Sequence, residues 1–381
     1  MSSLDRIDPA TRWILARAFL PVELPVEPPN DPADLLRTAQ RLRLAPRVAS
    51  RCGADLLTRE LGAATAEWFL AASRQATMQA LRTEALVRHL SFAASEEGLR
   101  FVLLKGGALH LRRIVSAGAR PMYDLDILLS RRSARCLDKI LRSQGWHRTT
   151  SRRIDYHLPP LCHSGWPLLE IHDYLPWVAL NGRIWSTFEQ LESAKLLEPL
   201  PAPLDNVLTP QRSVLASHAA VAAPYVSVFG FADLVELARA GKSENRPASP
   251  VGVWLRPTIS RMQFARLEAL LAGWRALDNG QPTTGDAAEP WLRALATIEG
   301  TPVGAPRTML RPLPGSPHPW LGVAQRLTSR LIVTRHELAL RYGRPRRGWQ
   351  YAALQARRWF EIAARELRLS GGSTSRGVSI G

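Results

Sequence analysis

Between residues 34 and 94 the chain is built from Ala, Leu, Arg and Glu, and apolar residues at Leu81, Ala85, Leu86, Leu90 and Ala93 recur at helical spacing. That periodicity predicts amphipathic helices, closed by Gly98 as a stop signal. The texture changes at Leu99. A short apolar run, Phe101-Val-Leu-Leu104, ends in Lys105-Gly106-Gly107 and is followed by a helix-compatible stretch from Ala108 to Val115. The pattern predicts strand, glycine turn and helix. A second run, Met122 to Leu129, alternates like a strand and leads into a basic helix over Ser133 to Ser143, closed by Gly145. A third, Pro167 to Leu175, alternates again. Further on, Val214 to Val235 is strongly apolar but broken by His218, Pro224 and Asp233, which predicts a pair of buried helices rather than a membrane span.

These elements divide the chain into an N-terminal helical region (1–98), a small mixed-sheet core (99–200), a C-terminal helical region (201–370) and a disordered tail (371–381). The fold class is α+β, with helical regions flanking the sheet. The proline-rich stretch from Pro21 to Pro32 cannot sustain a helix and reads as a surface connection. Three cysteines without a C-x-x-C pair suggest neither a disulfide framework nor a structural zinc site. The N-terminus has no continuous apolar stretch of the secretory kind, so a reducing, cytoplasmic setting is expected.

The candidate chemistry lies in the alternating runs. Side chains at i and i+2 of a strand share a face. Asp124 and Asp126 therefore stand together on one side of their strand, with Tyr123, Leu125 and Ile127 on the other. Two like charges held that way repel, and a divalent cation such as Mg²⁺ relieves them. Glu170 and His172 also share a face, and Glu170 completes a three-carboxylate cluster, with His172 either an accessory site residue or a histidine satisfied at the sheet surface. Gly106 and Gly107, at a strand end and helix start, let a backbone approach phosphate closely. Lys105 either touches nucleotide or caps the strand end in solvent. Arg120 either grips phosphate or clamps one of the two aspartates. Asp233 and His218 read as satisfied polar residues of the apolar helices. A P-loop reading of Gly241-Lys242-Ser243 fails because the earlier glycine position is Glu236, and His336-Glu337 lacks the second zincin histidine, position 340 being Leu.

The strings Leu104-Lys-Gly-Gly-Ala-Leu109, Arg120-Pro-Met-Tyr-Asp-Leu-Asp-Ile-Leu-Leu129 and Leu169-Glu-Ile-His172 resemble the uncharacterised bacterial branch of the nucleotidyltransferase superfamily that shares the DNA polymerase beta catalytic fold. The resemblance is close over residues 99–174. It implies a nucleotide site at Gly106 and Gly107, a metal site at Asp124, Asp126 and Glu170 for Mg²⁺ or Mn²⁺, and transfer of an NMP from an NTP to a hydroxyl acceptor. The acceptor classes are a small molecule, a peptide or protein, a glycan precursor or RNA. Ala108 stands where many relatives have serine, which removes one hydroxyl from the phosphate site. The alternative is a nucleotide-binding or anionic-surface-binding adaptor on the same fold, without turnover.

Charge adds one expectation. The 381 residues carry a formal charge of +17, with 50 Lys plus Arg against 33 Asp plus Glu. From Trp320 onward, twelve arginines face three glutamates, a local excess of +9. That basic segment, interleaved with tryptophans and tyrosine, suits either a polyanion contact or a solvated helical face.

Overall fold

The computed structural model describes residues 7–149, 157–180, 183–221, 225–242, 261–278, 285–296, 301–302, 352–357 and 359–360. The expected tail (371–381), His336-Glu337, Ser243 and most of the basic segment after Trp320 lie outside the described residues, as does the side chain of His218.

Four helices precede the sheet: α1 (Pro9–Phe19), α2 (Pro32–Leu42), α3 (Ala45–Leu61) and α4 (Ala63–Ser95). Asp8 and Asp31 cap the first two, each accepting from a first-turn backbone N–H, and each is followed by proline at the helix start. The chain leaves α4 through Gly98, whose φ of +63° suits glycine. Of the amphipathic set, Leu86, Leu90 and Ala93 are buried, whereas Leu81 faces solvent.

The sheet follows, in the order β1 (Phe101–Leu103), β2 (Asp124–Leu128), β3 (His147–Arg148), β4 (Leu161–Cys162), β5 (Leu168–His172), a hairpin of β6 (Leu175–Leu180) and β7 (Arg183–Ser186), β8 (Leu197–Pro199) and β9 (Val207–Pro210). Helix α5 (Lys105–Leu111) joins β1 to β2, α6 (Arg131–Ser143) follows β2, and α7 (Phe188–Ser193) follows β7. Seven strands form one mixed sheet ordered β3-β4-β5-β2-β1-β9-β8. β1 runs antiparallel to β2 and parallel to β9, while β2 and β5 run parallel. The α+β class holds, but the sheet extends past the expected core limit at residue 200, because β9 is the parallel neighbour of β1.

The predicted helix over Ala108–Val115 instead spans Lys105–Leu111. Lys105, Gly106 and Gly107 form its first turn rather than a loop before it. Beyond the sheet come α8 (Arg212–Val221), β10 (Tyr225–Val226), α9 (Val228–Lys242), α10 (Arg261–Asp278), α11 (Gly285–Ala296) and β11 (Thr301–Pro302). No helix among the described residues is long and apolar enough to cross a membrane.

Strand alternation sorts two apolar layers. Phe101, Leu103, Leu125, Ile127, Leu169 and Ile171 enter a large core that also takes Trp13 and Phe19 of α1, Leu86 and Leu90 of α4, Phe231 of α9 and Trp274 of α10. Val102, Leu104, Leu128 and Leu208 enter a smaller core with Phe188, Leu191 and Val214. Helix α1 meets α9 and α11 directly: the Phe19 ring lies 5.7 Å from Phe231 and 6.1 Å from Trp291. One apolar core thus runs through all three expected regions, with each fully buried large side chain contributing roughly 1.5–3 kcal/mol.

Candidate metal and nucleotide site

The even-numbered residues of β2 and β5 share the face of Leu128, on the side of the smaller core. Parallel pairing sets Asp126 opposite Glu170 and Leu128 opposite His172. As a result, one donor atom each from Asp126, Glu170 and His172 lies within 4.8 Å of the others. Asp124 faces the same way but stands at the start of β2, opposite Leu168, exposed and outside that three-residue cluster.

Asp126 is the centre of the arrangement. It is buried, and its Oδ1 receives Lys105 Nζ at 2.6 Å and His172 Nε2 at 2.9 Å. Burial works against its charge, yet the Lys105 ammonium and the His172 hydrogen bond overrule it and hold the carboxyl well below the usual range. Glu170 behaves oppositely. Burial, followed by repulsion from Asp126, pushes its carboxyl up to about 8, and it shares a hydrogen bond with Asp126. Of the two carboxyls, Glu170 is therefore the one that holds a proton more readily and Asp126 the one that favours the charge. Asp124, although its side chain reaches solvent, is also raised, by partial desolvation at the strand end and then by Asp126.

Both histidines stay neutral. Burial lowers His172, so its Nε2–H donates to Asp126. Burial, then His172 itself, depresses His157 to about 3, and the two rings lie 5.3 Å apart. His157 Nδ1 contacts the Leu158 carbonyl at 2.7 Å, and its Nε2 lies 4.0 Å from Glu170. His157 stood out by nothing in the sequence. An isolated bridge to His172 brings it to the site from the loop before β4.

This donor set fits a divalent cation. Two carboxyls that cannot both ionise side by side, next to a neutral imidazole, gain from a cation between them, and oxygen donors suit Mg²⁺ or Mn²⁺.

Two expectations about cations need correction. Lys105 does not cap the strand end in solvent: it pairs with Asp126, and its backbone holds φ at +42° to begin α5. Arg120 clamps neither Asp124 nor Asp126. Its Nε and Nη2 reach Asp233 of α9 at 2.9 and 3.0 Å, and its guanidinium carbon lies 4.8 Å from the Phe229 ring centre. Burial opposes its charge, but Asp233 raises the guanidinium further. Asp233, read from sequence as a satisfied polar residue, is buried and satisfied by Arg120.

The glycines are accounted for by packing. A Cβ at Gly106 would collide with the Arg120 guanidinium, and one at Gly107 would stand 2.8 Å from Leu125 Cδ1. The approaching groups are the ends of protein side chains, so a Cβ at either position forces Arg120 or Leu125 to shift.

A mixed sheet with paired aspartates on one strand and an acid-histidine pair on its parallel neighbour brings Asp126, Glu170 and His172 together as a group that could hold a metal ion. Residues 28–242, more than half of the chain, match the family described as uncharacterised nucleotidyltransferase, and the chain belongs to that family. No curated protein and no solved structure matches it.

Proposed function

We propose that the protein transfers a nucleoside monophosphate from an NTP to a hydroxyl acceptor, releasing pyrophosphate. The observation that carries this reading is the convergence of Asp126, Glu170 and His172 on one sheet face. Asp126 and Glu170, with Asp124 at the rim, are assigned to hold Mg²⁺ or Mn²⁺, and His172 orients Asp126 by donating to it. The cation, when bound, supplies charge neutralisation to the triphosphate and polarises the α-phosphoryl group.

In the transfer, the acceptor oxygen forms a bond to the α-phosphorus. The bond from that phosphorus to the bridging oxygen breaks, and pyrophosphate leaves with the electron pair. Asp124, exposed and with a raised carboxyl, accepts the acceptor's proton. Lys105 releases Asp126 to the cation and turns to the triphosphate, a short movement for a flexible ammonium. Gly106 and Gly107 are assigned to the phosphate side on the family resemblance. Arg120, locked to Asp233, acts there by fixing the first turn of α5 rather than by binding phosphate.

The test is incubation of the protein with each α-labelled NTP and Mg²⁺ or Mn²⁺ in a cell extract. Label should pass to an acceptor with wild type and not with Asp126→Asn. Tight NTP binding without transfer to any molecule overturns the enzyme reading in favour of the adaptor.

A further inference from the structure

Helix α6 covers the sheet face opposite the acids: its Ala134, Leu137 and Leu141 are buried in the larger core, which also takes Leu125 and Ile127 of β2. Its other side is basic. Arg132, Arg135, Lys139 and Arg142 are all exposed and follow one another at intervals of three, four and three residues, with Arg131 exposed beside them. On a helix that turns about 100° and rises about 1.5 Å per residue, the five cations fall within an arc of about 100°, and the row from Arg132 to Arg142 is roughly 15 Å long.

Nothing on the chain neutralises this row. None of the five pairs with a carboxylate among the described residues, whereas the exposed Arg37, Arg74, Arg88 and Arg100 each do. The one acid of α6, Asp138, is buried and turned inward, where it accepts from Arg148 Nε of β3 at 3.2 Å. The helix bears the row at a cost. Like charges three or four residues apart repel one another, and the first turn holds two arginines and no acid at the end where the helix dipole disfavours cations.

From this row we infer that α6 is a docking surface for double-helical RNA, held by its phosphate backbone. Guanidinium groups engage phosphate oxygens bidentately, and an anion along the row relieves the repulsion within it. The helix carries no aromatic residue on which unpaired bases could stack and no carboxamide to read a base edge, which leaves charge and duplex shape as the means of recognition. A row confined to a narrow arc meets two phosphate strands at once only where they approach each other, as across the deep, narrow major groove of A-form RNA; across the wider major groove of B-DNA it reaches one. An anionic membrane is a poorer match, because the apolar side of α6 is buried in the core and has nothing to insert. The row and the acids lie on opposite sides of the sheet, so α6 holds RNA without presenting it to them, and the inference stands apart from the nucleotidyl-transfer reading.

The experiment uses the full chain and fluorescence anisotropy with a labelled RNA duplex of about 20 base pairs, from about 50 to 200 mM salt. Combining Arg132→Gln, Arg135→Gln, Lys139→Gln and Arg142→Gln should reduce the slope of log affinity against log salt by about 3–4 and weaken binding at least about thirtyfold at about 100 mM salt. All four positions are exposed and the substitutions relieve like-charge repulsion, so thermal unfolding of the variant is expected at or above that of wild type. A control that removes the same charge from other exposed positions, Arg37→Gln, Arg59→Gln, Arg74→Gln and Arg82→Gln together, should leave the slope within about 1 of wild type. An equal loss in the control, or no binding by wild type at about 50 mM salt, overturns the inference. So does equal or tighter binding of a DNA duplex of the same length, of single-stranded RNA or of phosphatidylserine vesicles.

Discussion

Replacing Glu170 by glutamine should make the protein more stable and deaf to metal. The carboxyl rises from an ordinary 4.5 to about 8 in the folded chain because burial and Asp126 disfavour its charge. A group that binds its proton more tightly when folded subtracts stability as pH climbs: the unfolded chain loses the proton near 4.5, and the folded chain must keep it or carry an unfavourable charge. The loss begins above pH 4.5 and is complete above about 8. Every pH unit crossed between those two values costs about 1.4 kcal/mol, so the upper bound is roughly 3 kcal/mol at pH 7 and about 5 above pH 8. The Glu170 side chain keeps 21% exposure, and water screens part of this. A measured gain of about 1–3 kcal/mol at pH 8 is therefore expected, equivalent to a Tm increase of several degrees. Glutamine is isosteric and its amide still donates to Asp126, so no hydrogen bond is lost. Thermal denaturation of both proteins from pH 4.5 to 9 checks the reasoning, with and without Mn²⁺. The two curves should converge at pH 4.5 and separate with rising pH, and Mn²⁺ should raise the Tm of wild type but not of Glu170→Gln. A variant that is less stable at pH 8, or a gap that does not change with pH, refutes the argument.

Other consequences are as direct. Lys105→Met removes the ammonium from Asp126 and should tighten Mn²⁺ binding by at least about tenfold, read by electron paramagnetic resonance titration; weaker binding would show that Lys105 builds the site rather than competes for it. Asp233→Ala strands the buried Arg120 guanidinium and should cost about 3–5 kcal/mol in denaturant unfolding, while Arg120→Met with Asp233→Leu recovers most of it. Gly106→Ala drives a methyl into that guanidinium and should cost about 1–3 kcal/mol in wild type but much less in an Arg120→Met background.

Much of the site was legible because strand parity is a local property. Alternation alone placed Asp124 with Asp126 and Glu170 with His172, and the surrounding apolar run showed which residues had to be buried. The chain's own punctuation, Gly98 and Gly145 among it, marked the ends of the flanking helices. Local pattern could not say which strands are neighbours. That β2 lies parallel to β5, in a register that sets Asp126 opposite Glu170, depends on packing both strands over one core. Nor could it place β9, which joins the sheet from beyond the expected limit of the core.

The cations divide in the same way. Sequence marked Lys105 and Arg120 as residues with work to do, since each sits beside a turn and a strand bearing acids. Their partners came from the tertiary structure: Asp126 lies 21 positions from Lys105, and Asp233 lies 113 positions from Arg120. An ion pair is chosen by which charges burial brings together, and burial is decided when distant elements share one core. The chain by itself therefore determined the face on which its acids stand; only the folded molecule decided which of them cluster, and that Lys105 pairs with Asp126 and Arg120 with Asp233.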